Sequence, residues 1–354
     1  PGKHQSGRNS GVIHSGVYYK PNSFKSNLCM RGRELLLDFL QSENVPYRLE
    51  GKIVVDSDIN KLSALEERAS LLNMENVRVL DRSGVLELEP YCKFESALHV
   101  PQAGVVDYRV VTKKIAEKFL SLGGSIEYFQ KIKSIKTDNG LKILESNNSF
   151  FQSEFIINCA GLYSDTVAHL DGVEPKLRII PFRGEYFTIQ DDKSHLVNNM
   201  IYPISDPDLP FLGIHLTKTV DNKIEAGPNA VLAFAKEGYD WKKINLGEFR
   251  KTIFYPGMWK LGKKYLSTGL SEMYRSLNNK VFLGEILKYI PDVTKNDLTP
   301  RIAGVRAQAV GEDGSLIDDF VFERKDQSLH VLNAPSPAAT ASLAIGEHIV
   351  QEIT

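Results

Sequence analysis

Cysteine is scarce in this chain. Cys29, Cys92 and Cys159 stand far apart and form neither a Cys-x-x-Cys pair nor a Cys/His cluster. An odd number of cysteines without metal spacing reads as reduced thiols in a reducing compartment. A surplus of basic charge is also lacking: 43 Lys and Arg against 44 Asp and Glu give a net charge of -1. No field is present to attract nucleic acid, which is excluded as a partner. No uninterrupted apolar run approaches the roughly 20 residues of a membrane helix. Repeats, low-complexity tracts, long linkers and a visible signal peptide are missing too. Together these absences predict a cytoplasmic globular protein. With 354 residues, 42% hydrophobic and 25% charged, the chain exceeds one ordinary core and predicts two intimately joined domains.

What is present alternates between two grammars. RGRELLLDFLQSE (31–43) reads as a helix, YRLEGKIVVDSD as strands, and 59–73 as a charged helix. From 108, VVTKKIAEKFLSLGG places Val111, Ile115, Phe119 and Leu122 on one helical face, and Gly123-Gly124 ends it. SIEYFQKIKSIKTDNGLKILES reads as strands with a hairpin turn at Asp138-Asn139-Gly140. FIINCAG then runs from a buried strand into a small-residue turn, and LYSDTVAHL starts a helix. This is α/β nucleotide-domain grammar. The middle third, about 176 to 285, is richer in aromatics, prolines and short strand-like runs. It predicts a mostly antiparallel sheet with helices around 245 to 277. Strands RIAGVRAQAV and LHVLNA and a helix at 337–353 close the chain. The expected fold is therefore α/β combined with α+β and discontinuous. Residues 1–45, 100–175 and 300–354 form a Rossmann-like domain, and 46–99 with 176–299 form a sheet-rich domain.

Several residues invite a chemical role, each with a structural alternative. Ser336 and Pro337 are predicted to open the last helix as N-cap and first-turn proline. Ala338, Ala339, Thr340 and Ala341 follow in its first turns. Small side chains at a helix N-terminus admit a flat or anionic group, or simply a packed sheet. Asn158, Ala160 and Gly161 end a strand where backbone can approach a ligand, or make a tight turn. His14 and His215 each sit among apolar neighbours. Beside a substrate hydroxyl either could serve as a general base; otherwise each is a core histidine. Arg183 and Arg306 lie in largely apolar strands, where a guanidinium needs an anion. A substrate carboxylate fits, and so does an internal pair such as Arg183–Glu185 or Arg306–Glu312. Gly257–Leu277 mixes apolar residues with cations and reads as a solvated amphipathic helix pair or a contact with an anionic membrane surface.

The strings RNSGVIHSGVYY, NCAGLYSD, IPFRGEYF, YPISDPDLPFLGIHLT, GPNAVLAF, AGVRAQ and NAPSPAATASLAIGEHI together resemble the L-2-hydroxyglutarate dehydrogenases and oxidases. These are FAD enzymes of the D-amino-acid-oxidase-like superfamily. The matches run in order along nearly the whole chain. Such a family opens with a β-α-β unit carrying GxGxxG. No GxGxxG occurs here, and that segment is expected to precede Pro1. Were the protein truncated there, a non-catalytic remnant unable to hold FAD would be the alternative.

The resemblance implies oxidation of L-2-hydroxyglutarate to 2-oxoglutarate, with hydride passing to flavin N5 and electrons to a quinone or oxygen. Rival substrates within the superfamily are amino acids and glycerol 3-phosphate. By resemblance Arg8, Asn9, Ser10 and Gly11 pack along the flavin. Asn158 to Gly161 touches the cofactor, and the helix opened by Ser336 points at the flavin's pyrimidine end. The base is assigned to His14, with His215 as rival. Arg183 and Arg306 hold the carboxylates of a small dicarboxylate, and Tyr19 donates a hydrogen bond. A respiratory acceptor would place the protein peripherally on the inner membrane, with Gly257–Leu277 as the contact.

Overall fold

In the computed structural model, residues 1–205, 212–300 and 303–354 are described. The beginnings of FLGIHLT, at Phe211, and of RIAGVRAQAV, at Arg301-Ile302, lie outside them. The helices are α1 (Phe24–Ser42), α2 (Ile59–Leu71), α3 (Arg82–Leu88), α4 (Tyr108–Ser121), α5 (Ser164–Leu170), α6 (Leu246–Ile253), α7 (Pro256–Leu277), α8 (Asn279–Ile286) and α9 (Ala338–Ile353). Their starts follow one chemical rule. Ser23, Asp58, Asp81, Asp107, Asn245 and Asn278 each accept a backbone N–H of the first turn, satisfying donors that have no partner inside the helix. The Ser23 cap begins α1 seven residues before the position predicted from LLLDFL, because a polar FKSNLCM turn extends the apolar face. Helices α3 and α8 were not anticipated; each is short, and its apolar spacing covers barely two turns.

An eight-stranded sheet dominates the middle of the molecule. Its order is Leu298–Pro300, Phe187–Ile189, Ile224–Gly227, His215–Lys218, Met200–Pro203, Lys52–Val55, Ala97–Val100, Arg78–Leu80. All neighbours are antiparallel except Met200–Pro203 against Lys52–Val55. Segments far apart in sequence therefore share one sheet. One of its faces packs on Phe282, Ile286, Tyr289 and Ile290, burying the apolar side of α8.

Smaller sheets flank it. Ile156–Asn158 runs parallel to Ser328–Asn333. That strand packs on α9 through Leu329, Val331, Ala341, Ile345 and Ile349, as a strand-to-helix layer of an α/β domain requires. Val12–Ile13 and Tyr47–Arg48 both pair with Gly104–Val106. Leu177–Gly184 pairs along its whole length with Gly304–Gly311. The hairpin at Asn139-Gly140 forms with both residues at positive φ, 49° and 78°, between Ile132–Asp138 and Leu141–Ser146. SIEYFQ before it is not a strand. Tyr128 and Phe129 are exposed, so apolar content there marks no buried face.

Candidate active site

The site is built around the start of α9. The helix begins at Ala338, with Pro337 at the N-cap position and no capping side chain. This corrects the expectation that Ser336 caps it. The Ser336 hydroxyl is engaged elsewhere: its Oγ lies 3.3 Å from His14 Nε2, and it is close enough to the Tyr19 hydroxyl to favour its ionised form. The amides of Ala339 and Thr340 have no acceptor among the described residues, which leaves free N–H groups at a positive helix end. Helix α1 crosses immediately behind. A Cβ on Gly32 would stand 2.5 Å from Ala341 Cα and 2.7 Å from Thr340 O, so only glycine permits this approach. Thr340 is the hub. Its Oγ1 accepts from the His14 amide at 3.0 Å, lies 3.0 Å from Tyr108 OH and donates to Val12 O at 3.3 Å. Cys29 on α1 donates its thiol to His14 O. His14 is thereby fixed to both helices through its backbone.

The segment before His14 is shaped by turn chemistry. Asn9 Oδ1 accepts from Gly11 N at 2.8 Å. Gly11 has φ +72°, and a Cβ there would stand 2.7 Å from Val106 O. Arg8 donates to the carbonyls of Lys3 and Ala303 and stacks 3.9 Å from the Tyr239 ring. The second glycine turn comes alongside: a Cβ on Gly161 would lie 3.0 Å from Gln5 Oε1. Asn158 is buried, donating to Ser164 O and accepting from Ala160 N. Gly161, remote in sequence, thus lies beside the Gln5 side chain just before the Arg8–Gly11 turn.

The second face comes from the eight-stranded sheet. His215 is buried, with Nδ1 3.0 Å from Gly213 O, and its ring stacks on Tyr202 at 4.0 Å between centroids. The Tyr202 hydroxyl lies 3.5 Å from Thr217 Oγ1, with Ser10 nearby and the charge of Arg306 acting on it. Burial pushes His215 down to about 3, the bond to Gly213 O opposes this, and Arg306 and Lys52 push it lower. Burial likewise holds His14 at about 3, with added repulsion from Lys52, His215 and Lys25. Both imidazoles are therefore neutral at ordinary pH and able to accept a proton. Lys52 opens the strand Lys52–Val55 and is only 2% exposed. Its ammonium lies 4.3 Å from the Tyr18 ring centroid and 5.0 Å from that of Tyr202. Burial brings it down to about 7, opposed by Cys29.

Among the sequence candidates, hydrogen bonds join His14, Ser336 and Thr340, while His215, Ser10, Arg306 and Tyr19 lie within electrostatic reach of that group or of Tyr202. Arg183 is not joined to them. In the pairing of Leu177–Gly184 with Gly304–Gly311, Arg183 opposes Val305 whereas Arg306 opposes Phe182. Side chains alternate along strands, so the two arginines project from opposite faces. Arg183 Nε donates to Glu185 at 3.1 Å, and its guanidinium stacks 4.2 Å from the Trp241 ring. Sequence reasoning missed Lys52 and Tyr202. The available signal was a lysine opening a fully buried strand, KIVV.

The FAD dependent oxidoreductase family profile matches residues 1–352. An L-2-hydroxyglutarate dehydrogenase of Indibacter alkaliphilus is 45% identical over 97% of this chain and 87% of its own length. The human mitochondrial L-2-hydroxyglutarate dehydrogenase is 39% identical over 99% and 80%. Among solved structures, the FAD-bound L-alpha-glycerophosphate oxidase of Mycoplasma pneumoniae superposes with a TM-score of 0.79 at 21% identity, covering 99% of this chain and 84% of that one. Glycine oxidase of Geobacillus kaustophilus gives a TM-score of 0.72 at 14% identity, covering 98% and 84%. The last two establish a shared fold. With the profile spanning both the helix-α9 side and the sheet side of the site, the chain belongs to the FAD dependent oxidoreductase family.

Proposed function

We propose that this protein oxidises L-2-hydroxyglutarate to 2-oxoglutarate. The observation that carries the reading is a neutral His14 held at the start of α9 beside its free amides, within electrostatic reach of a second neutral histidine, His215, and of the buried Lys52. The residues fit FAD. The Ala339 and Thr340 amides suit a group that accumulates negative charge, and the glycine turns at 11 and 161 leave no side chain in the way. Bound FAD supplies the hydride acceptor for C2 and hands the two electrons onward to an external acceptor.

The protein's own part is proton and charge management. His14 takes the C2 hydroxyl proton as the carbonyl forms, and His215 is the rival for that role. A neutral imidazole can accept this proton, and a nearby substrate anion raises its basicity. The clamp of the His14 backbone by Thr340 and Cys29 supports His14 as the better positioned. Arg306 faces one carboxylate, and Tyr19, coupled to Ser336, contributes a hydrogen bond. The test is the visible spectrum of purified protein before and after anaerobic L-2-hydroxyglutarate. Bleaching with formation of 2-oxoglutarate is expected; an unchanged flavin band refutes the substrate. His14→Ala should retain FAD and lose roughly 100-fold or more in kcat, and near-normal turnover would remove His14 from the role.

The electron acceptor is a quinone or oxygen, and α7 is the proposed membrane contact. Trp259, Leu266, Leu270, Tyr274 and Leu277 on it are exposed beside Lys260, Lys263 and Lys264. An apolar stripe edged by lysines suits an anionic lipid surface. Among the described residues no helix is long and apolar enough to cross a membrane. Replacing Trp259, Leu266 and Leu270 by serine should abolish sedimentation with vesicles containing anionic lipid. Unchanged sedimentation refutes the contact.

A further inference from the structure

Lys52 is a buried cation without an anion. Among the described residues no hydrogen bond or ion pair reaches its ammonium. Among the described residues its ammonium faces the rings of Tyr18 and Tyr202. The hydroxyls of those rings are turned to other work: Tyr18 donates to Pro203 O at 3.1 Å, and Tyr202 OH lies 3.5 Å from Thr217 Oγ1. Two ring faces orient an ammonium but do not replace the hydration it has lost. The same charge acts on both His14 and His215, so it lies within electrostatic reach of both imidazoles. Arg306 acts on His215 and Tyr202 from the adjoining side. A 2-hydroxydicarboxylate brings two negative charges, and Lys52 offers a cation with no carboxylate bonded to it among the described residues.

We propose that the Lys52 ammonium is the counter-charge for one carboxylate of the dicarboxylate substrate and the residue that selects a dicarboxylate over a monocarboxylate. This rests on the substrate reading given above. Tyr18 and Tyr202 hold the lysine in place without neutralising it, so the charge stays available to the ligand. The lysine is a specificity residue; hydride and proton transfer do not pass through it.

The experiment uses the FAD-loaded protein and two probes, 2-oxoglutarate and 2-oxobutyrate, read by flavin difference absorption and by thermal shift. Wild type should bind 2-oxoglutarate at least 100-fold more tightly than 2-oxobutyrate. Lys52→Met should lower that ratio at least tenfold and raise the KM for L-2-hydroxyglutarate far more than it lowers kcat. Lys52→Arg should restore part of the ratio. Lys52→Gln replaces the methionine variant if that one fails to hold FAD. A wild-type ratio in either neutral variant overturns the proposal. In wild-type protein, cyanate labelling of Lys52, read by mass spectrometry, should be suppressed by 2-oxoglutarate and not by 2-oxobutyrate; equal labelling overturns it without any variant. If wild type ignores 2-oxoglutarate and L-2-hydroxyglutarate alike, the substrate reading itself has failed and Lys52 as stated falls with it. If wild type responds and the neutral variants respond equally, Lys52 alone is wrong.

Discussion

Thr340→Val tests whether the site is held together by one hydroxyl. Valine keeps the shape of threonine and removes only the hydrogen-bonding oxygen. That oxygen is fully buried and meets the His14 amide, Tyr108 OH and Val12 O. Tyr108 keeps a second acceptor, Val12 O at 3.1 Å, so its loss is small. The His14 amide is left with no acceptor, and one orphaned buried donor costs about 1–3 kcal/mol. Adding the weakened Tyr108 bond gives roughly 2–4 kcal/mol, or a Tm lower by about 3–5 °C in a chain of this size. Because the His14 backbone would no longer be tied to α9, turnover should fall about tenfold or more through misplacement, with FAD still bound. Thr340→Ser is the control, keeping the hydroxyl and losing one methyl, at about 1 kcal/mol. Thermal unfolding and steady-state kinetics of the FAD-loaded protein read both. A valine variant as stable and active as wild type, or a serine variant equally damaged, would refute the hub.

The remaining predictions concern packing and charge. Gly32→Ala should force α1 and α9 apart, costing about 1–3 kcal/mol and weakening FAD retention, as measured by the absorbance ratio after gel filtration. Asp171 accepts from Lys142 Nζ at 2.7 Å and from Ser328 Oγ, and its Oδ2 lies 3.2 Å from His330 Nε2. Asp171→Asn strands a buried lysine and should cost about 3–5 kcal/mol in denaturant unfolding. Burial alone would raise the Asp171 carboxyl, but bonds from Lys142, Ser328 and His330 outweigh it and hold it below its ordinary value. Its stabilising contribution is therefore present above the ordinary carboxylate pKa and lost as pH falls below it, and the asparagine variant should lack that acid-side decline. Lys52, held at about 7 by burial, is charged below that pH and neutral above, so 2-oxoglutarate affinity should weaken as pH rises through and beyond 7. His14 and His215 at about 3, Cys29 at about 12, and Tyr18 and Tyr202 pushed upward all lie away from 7, whereas Glu89, raised by burial to about 7, turns over in the same range; a Lys52→Met variant that keeps the transition refutes the assignment.

Local grammar carried much of the fold. The 108–121 helix, the Asn139-Gly140 hairpin and the Ile156–Asn158 strand all rest on signals confined to a few residues, and sequence spacing is enough to find them. The parallel join between Met200–Pro203 and Lys52–Val55 was not legible, because strands 145 or more residues apart carry no mark of their partner. The start of α9 was misplaced for a related reason. Ser336 has the chemistry of a cap, but a hydroxyl bonds whichever partner the tertiary structure supplies, and here His14 arrives first.

The candidate site divides along the same line. Glycines at 11 and 161 were legible because a positive φ or a close backbone approach admits little else. The two arginines were not separable. Arg183 and Arg306 sit in similar apolar strings, and only the register of their strands shows that one opposes Val305 and the other Phe182. A single residue of offset decides which face a guanidinium occupies, and composition cannot report an offset. Lys52 was the opposite case, a signal present and passed over. A lysine on the buried face of a strand must find an anion, reach water or lose its proton. The strand KIVV has no acidic neighbour within it, and every one of its residues is buried. Burial lowers Lys52 to about 7, so below that pH the chain keeps a charge for a ligand, one that acts on both His14 and His215.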